Sequence, residues 1–157
     1  MPRNNYKRQN PPADPIYGSL EVSKLINYVM VDGKKSVAER IVYEVFERLQ
    51  KEEKEPIKTL HQAIANVAPD HEVKPRRLGG ASYLVPIDVR RERKVYLALN
   101  WIIDTAKTRS NKEFKSFASK LYTEILEAAQ NQGNAVAKRA QTEKLAEANK
   151  AFAHLKW

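Results

Sequence analysis

Lys74, Arg76 and Arg77 lead into a glycine pair, and Arg90, Arg91, Arg93 and Lys94 close the alternating run that follows it, all within EVKPRRLGGASYLVPIDVRRERK at residues 72–94. These side chains do the chemistry of anion recognition: a guanidinium grips phosphate through parallel hydrogen bonds and stacks on flat rings, and an ammonium supplies point charge. Seven cations against Glu72, Asp88 and Glu92 leave the stretch at net +4, so its self-repulsion is only partly relieved from within. A polyanion would relieve the rest. Lys34 and Lys35 form a second cluster, Arg3, Lys7 and Arg8 lie beside Tyr6 in a third, and Lys107, Arg109, Lys112, Lys115 and Lys120 surround a lone Glu113 in a fourth. Residues 36–55 are net negative, so the charge is polarised. Any one cluster reads most plainly as a solvated surface. Together, with 28 Lys/Arg against 19 Asp/Glu and a net charge of +9, they make a broad electrostatic footprint for nucleic acid, whose affinity falls steeply with salt.

No constellation for catalysis accompanies them. The chain has no cysteine, hence no thiolate nucleophile, disulfide or Cys-ligated metal, and His61, His71 and His154 lack metal-ligand spacing. Glu52, Glu53 and Glu55 sit in a charge run, while Ser36 and Ser110 have roles as helix caps. The reading is a non-enzyme with no catalytic residue, no metal, no cofactor and no small-molecule substrate. No apolar stretch approaches the roughly 18 residues of a membrane span, and the polar start MPRNNYKRQNPP has no signal-peptide core, so no membrane partner is expected and the chain should stay where it is made.

Those charges need a body to carry them. A chain of 157 residues with 42% hydrophobic content is the size of one domain with a real core. Residues 1–18, with Pro2, Pro11, Pro12 and Pro15, read as an extended basic arm, and 19–157 as a single helical domain. Helix one is predicted from a Ser19 cap to Val31 with Asp32-Gly33 as its stop, and helix two from a Ser36-x-x-Glu39 capping box along Ala38, Ile41, Val42, Val45 and Leu49. KEEKEP at 51–56 is a loop, and Ile57, Leu60, Ile64 and Val67 stripe helix three up to Pro69. Val95, Ala98, Leu99, Ile102 and Ala106 define helix four, with Trp101 off the stripe. A second box, Ser110-x-x-Glu113, opens helix five along Phe114, Phe117, Leu121, Ile125 and Ala128 to Gly133, and an alanine-dense helix six with a thin apolar face runs from Ala135 to about Phe152.

Between helices three and four, Tyr83, Val85, Ile87 and Val89 alternate with Leu84, Pro86, Asp88 and Arg90, the period of a strand. The fold class is therefore mainly α: a six-helix domain with one protruding two-stranded antiparallel β-ribbon at about 72–90. Two registers are open. A turn at Gly80-Ala81 puts Leu78, Arg76 and Lys74 on the face of Tyr83, Val85 and Ile87, whereas a loop of Gly79, Gly80 and Ala81 sets Arg77 opposite Tyr83. Pro75 and Pro86 each remove a donor, which suits edge strands.

Three stretches resemble one family closely. DPIYGSLEVSKLINYVMVDGKKSVAERIVY at 14–43, AIANVAPDHEVKPRRLGGASYLVPIDVR at 63–90 and AEANKAFAHLKW at 146–157 are similar to the seventh protein of the bacterial small ribosomal subunit. DGKKS, RRLGGASY-x-VP and AFAH-x-KW together carry the resemblance. Leu84, Ala137, Ala140 and Leu155 depart from its usual pattern. The resemblance implies a structural constituent of the small subunit that binds the 3′ major domain of 16S rRNA and nucleates assembly of the head. It also implies a position near exit-site tRNA and the mRNA path, contact with neighbouring proteins of head and platform, and a cytoplasmic location, or plastid stroma if plastid-encoded. Carried onto matching positions, the rRNA surface comprises Arg3, Lys7, Arg8, Lys34, Lys35, Lys74, Arg76, Arg77, Arg90, Arg91, Arg93 and Lys94, joined by the cluster Lys107, Arg109, Lys112 and Lys115. The ribbon tip, Gly79, Gly80, Ala81, Ser82 and Tyr83, faces tRNA and mRNA, and the tail with Phe152, His154 and Trp157 contacts protein. The alternative function is a free RNA- or DNA-binding regulator acting outside the ribosome.

Overall fold

A computed structural model describes residues 11–155. Six α-helices, α1 (Leu20–Val29), α2 (Lys35–Lys51), α3 (Pro56–Val67), α4 (Arg91–Thr108), α5 (Phe117–Ala129) and α6 (Asn134–Ala148), are interrupted by the antiparallel strands β1 (His71–Leu78) and β2 (Ala81–Asp88). A 3₁₀ helix, Lys150–Leu155, ends the described chain. The mainly α class with one ribbon between α3 and α4 is thus the observed architecture.

The apolar stripes expected from spacing meet in one core. Val22, Leu25 and Ile26 of α1, Val42, Val45, Phe46 and Leu49 of α2, Leu60 and Ile64 of α3, Leu99 and Ile102 of α4, and Leu121 and Ile125 of α5 form a single buried cluster. Helix α5 lies centrally, packed on α2, α3 and α4. Helix α6 buries only Ala135 and Ala146, so it leans on the body by one narrow stripe. That leaves it free to bridge α4 and the ribbon.

Helix starts depart from the expectation in two places. Helix α2 begins one residue before Ser36, with Lys34 as N-cap, so Ser36 lies inside the first turn and the box with Glu39 does not form. The cause is the preceding turn: Asp32 and Gly33 take positive φ of 52° and 73°, and the Lys35 N–H closes onto the Gly33 carbonyl at 2.8 Å. Helix α5 starts at Phe117, capped by Ser116, whose hydroxyl oxygen accepts the Ser119 N–H at 3.2 Å. Ser110 instead accepts the Lys112 N–H at 3.2 Å, holding a turn, and Phe114 precedes the helix. Helix α1 ends at Val29 and α6 at Ala148, both short of the predicted ends at Val31 and Phe152. Ser19 occupies the N-cap position of α1 without a side-chain cap bond, its hydroxyl donating to Glu21.

Residues 14–18, read from sequence as the end of the arm, form a turn docked on α2. The Asp14 carboxylate accepts the N–H groups of Ile16 and Tyr17 at 3.1 and 2.9 Å and the Tyr43 hydroxyl at 2.8 Å, and the Tyr17 ring meets Phe46 edge-on at 4.8 Å. An Asx turn of this kind satisfies backbone donors that an extended arm would leave to water.

The ribbon follows neither turn foreseen for it. The two-residue loop is Gly79-Gly80, with φ of 54° and 89°, the doubly positive pattern of a type I′ turn. Arg76 pairs with Tyr83, Lys74 with Val85 and Arg77 with Ser82. The face that groups Lys74, Arg76 and Leu78 with Tyr83, Val85 and Ile87 is as the first register has it, but the pairing has slipped by two residues. The three-residue loop, which sets Arg77 opposite Tyr83, is excluded. At its base the ribbon is docked: Val85, Pro86 and Val89 are buried, β1 packs on α6 and β2 on the 3₁₀ helix. Its turn end, Arg77 and Gly79 to Ser82, is exposed.

Candidate nucleic-acid interface

Where β2 passes into α4, the Val89 N–H continues the ladder by donating to the Asp70 carbonyl at 2.9 Å, and Arg90 becomes the N-cap of α4. This junction lays Arg90, Arg91, Arg93 and Lys94 beside the first strand. The carboxylates there sort the cations into two groups. Glu72 pairs with Lys74 at 3.5 Å and with Arg93 at 3.4 Å, and Lys94 donates to Asp70. The hydrogen bond and charge of Lys94 hold the Asp70 carboxyl below its usual range. Arg77, Arg90 and Arg91 are exposed and have no ion-pair partner among the described residues, while Arg76 is half-buried on the Tyr83 face. Asp70 is an acid that a reading confined to residues 72–94 misses, because it sits outside the strand pattern.

Lys34 and Lys35 flank the α1–α2 turn, both exposed, with Lys35 3.9 Å from Glu39. Lys107, Lys112 and Lys115 are exposed at the end of α4 and in the loop before α5. Arg109 differs from them in kind. Its Nε donates to Glu124 at 2.7 Å, a second nitrogen reaches Glu127, and the side chain is only 13% exposed. Burial alone would lower the Arg109 pKa, but the hydrogen bonds to Glu127 and Glu124 more than offset that and hold it above its ordinary value. Lys120 is buried too, donating to the Arg109 carbonyl at 2.6 Å and to Asn111. These two cations hold the α4–α5 connection together, so Arg109 is left out of the proposed contact surface.

The ribbon tip and the tail, assigned to different partners from sequence, touch each other. The Tyr83 ring lies 5.2 Å from that of Phe152, tilted by 52°. His154 is exposed and bonds the Ala151 carbonyl through Nδ1 at 2.9 Å. Arg3, Lys7, Arg8 and Trp157 lie outside the described residues. Behind the ribbon base, a cleft of about 590 Å³ against α6 is lined by Asp70, Asp88, Glu143 and Glu147 as well as His71 and Lys150. Its carboxylates disfavour a polyanion there, so the surface open to one is the exposed tip and the start of α4.

Sequence reasoning also misses an aromatic group in the same region. Tyr96, one helical turn beyond Arg93, carries the Arg93 guanidinium over its ring at 4.9 Å and meets Tyr28 edge-on at 5.5 Å. The i, i+3 spacing of Arg93 and Tyr96 was the available signal. Trp101 is half-buried against the core with Lys138 5.8 Å from its ring centre, a packing role.

A helical body that presents a ribbon and a helix start rich in uncompensated arginine, with no metal-holding group of side chains among the described residues, defines a cationic binding module. A family model described as ribosomal protein S7p/S5e matches residues 1–150. Similar over nearly their whole lengths are proteins named small ribosomal subunit protein uS7. That of Moorella thermoacetica is 52% identical over 146 residues, 92% of each chain. That of Thermosipho africanus is 49% identical over 158 residues and all of both chains, and that of a Sulfurihydrogenibium species is 51% identical over 145 residues, 92% of this chain and 91% of the relative. The chain belongs to the ribosomal protein S7p/S5e family. Its role is accordingly structural and not enzymatic.

Proposed function

We propose that this chain is a constituent of the small ribosomal subunit that binds the 3′ major domain of 16S rRNA, nucleates assembly of the head and lies beside exit-site tRNA and the mRNA path. The observation that carries the reading is the family match across residues 1–150. The exposed guanidinium groups of Arg77, Arg90 and Arg91, without an ion-pair partner among the described residues, support it, since a junction-rich RNA offers phosphates at many angles to a short ribbon. In bacteria such a component is cytoplasmic. Lys34, Lys35, Lys107, Lys112 and Lys115 extend the phosphate-facing surface, the exposed tip from Gly79 to Ser82 serves the tRNA side, and Phe152 and His154 serve neighbouring proteins.

Two measurements test this. The protein should co-sediment stoichiometrically with small subunits through a high-salt wash; recovery only in the free fraction would favour a regulator acting outside the ribosome. With a 3′ major-domain fragment, Arg77→Ala and Arg91→Ala should each weaken binding and reduce the slope of log affinity against log salt by about 0.7 to 0.9, one phosphate's worth. Slopes identical to the unaltered chain would remove both residues from the interface.

A further inference from the structure

Arg93 is set apart from its neighbours by what its edge and its face already touch. On the edge, Nε and Nη2 both donate to Oε2 of Glu72 at 3.4 Å, and Glu72 is itself only 14% exposed. On one side its central carbon lies over the Tyr96 ring, 4.9 Å from the ring centre, and Tyr28 meets that ring edge-on. Even so, the Arg93 side chain keeps 47% exposure and Tyr96 keeps 40%. A guanidinium reads phosphate through its in-plane N–H groups and reads a flat ring through its face. The Nε/Nη2 edge, one of the two forks that could clasp a phosphate, is engaged by Glu72. That leaves the side turned away from Tyr96 for a flat ring and the Nη1 end for a neighbouring phosphate.

We propose that Arg93, held between Glu72 and Tyr96, is a stacking platform for an unpaired nucleobase of the bound RNA. A base laid on its outer side continues the pairing of Arg93 with Tyr96, and its ring gains the cation–π and stacking attraction that nucleobases find on arginine planes. Arg90 and Arg91, the N-cap and first residue of the same helix, have N–H edges uncommitted among the described residues, which suit the flanking phosphates. Bases inside a duplex are already stacked on both faces, so the ligand is a base in a loop, bulge or junction. The proposal rests on the rRNA-binding reading above and assigns one residue a different kind of contact within it.

Arg93→Lys isolates the effect, because lysine keeps the charge and can still pair with Glu72 but has no plane. Its affinity for the 3′ major-domain fragment should fall about tenfold with the salt slope unchanged, in contrast to Arg91→Ala, which flattens the slope. Tyr96→Ala should lose a similar factor, Tyr96→Phe should bind like the unaltered chain, and the Arg93→Lys/Tyr96→Ala pair should lose little more than either alone, since both act through one stack. Far-UV circular dichroism confirms that each variant is folded. Binding of Arg93→Lys within twofold of the unaltered chain overturns the platform and leaves rRNA binding standing. Failure of the unaltered chain to bind the fragment overturns the rRNA reading and the platform with it.

Discussion

Arg109→Ala should destabilise the fold by about 3 to 5 kcal/mol, the usual cost of removing one partner from a buried ion pair. Glu124 is 0% exposed, and its two oxygens have separate duties: Oε2 accepts Arg109, and Oε1 accepts the Ala135 N–H at 3.1 Å at the start of α6. Without the guanidinium the Glu124 carboxylate remains in the core with Glu127 close by, and Glu124 cannot turn to water without releasing α6. The upper half of the range follows from the zero exposure of Glu124, and the lower half from Glu127, which is one-third exposed and regains solvent. For a domain of this size 1 kcal/mol shifts Tm by about 2 to 4 °C, so the loss should be on the order of 10 °C in a thermal melt followed at 222 nm. Lys107→Ala, two residues earlier and exposed, should move the melt by no more than about 2 °C. If Arg109 is a phosphate contact instead, Arg109→Ala should melt normally and flatten the salt dependence of RNA binding. A normal melt would refute the structural assignment.

Two further perturbations separate backbone strain from crowding and burial from charge. Gly133→Ala and Gly80→Ala both place a Cβ at φ near +90°, but the added carbon at 133 meets Glu127 Oε2 at 2.8 Å and its Cβ at 3.1 Å, whereas at 80 it meets nothing within 4 Å. Gly80→Ala should cost about 1 to 2 kcal/mol in urea unfolding and Gly133→Ala roughly 1 kcal/mol more, because Glu127 is held by Arg109; equal losses would remove the crowding argument. Burial, then the hydrogen bond to Asp14, pushes the Tyr43 hydroxyl up to about 12, and burial, then the bond to Glu52, does the same for Tyr122. Both folded-state values lie above the ordinary 10.0, so their contribution is fully present below about pH 10 and is lost as pH rises through 10 towards 12. Tm should decline over that window less steeply in Tyr43→Phe/Tyr122→Phe than in the unaltered chain, and parallel declines would show that these hydroxyls are not the cause.

The helices were legible because burial imposes a period on the sequence, and Val42, Val45 and Leu49 or Leu121 and Ile125 could lie on no other face. Caps were less legible because a serine before an apolar run does not say which serine will be used. Ser110 and Ser116 both offer an oxygen to a free N–H, and the choice fell to the residue whose cap lets Phe117, rather than Phe114, enter the first turn. The turn register failed for a related reason. Gly79-Gly80 and Gly80-Ala81 both offer a glycine for positive φ, and what separates them is that only Gly79-Gly80 supplies two residues without a Cβ for the two positive φ values of the observed turn, 54° and 89°. Arg109 was illegible in principle: its partners, Glu124 and Glu127, lie 15 and 18 residues away on another helix. Nothing in its immediate neighbourhood distinguishes it from Lys107 or Lys112.

The ribbon's charge divides along its length, and the division follows from docking. A two-stranded ribbon is marginal alone, so this one must lean on α6 and the 3₁₀ helix, and near that contact like charges would repel the body as well as one another. Carboxylates are found there: Asp70 and Glu72 take up Lys94, Arg93 and Lys74. What survives uncompensated among the described residues is Arg77 near the turn and Arg90 and Arg91 at the other end, two separated points of strong field with a neutralised stretch between them. A rigid polyanion that satisfied one point would meet that neutralised stretch, not a continuous positive track, on its way to the other. An RNA junction can engage both, because its strands diverge, and a base released from stacking where they part would find Arg93 beside Arg90 and Arg91 at the start of α4.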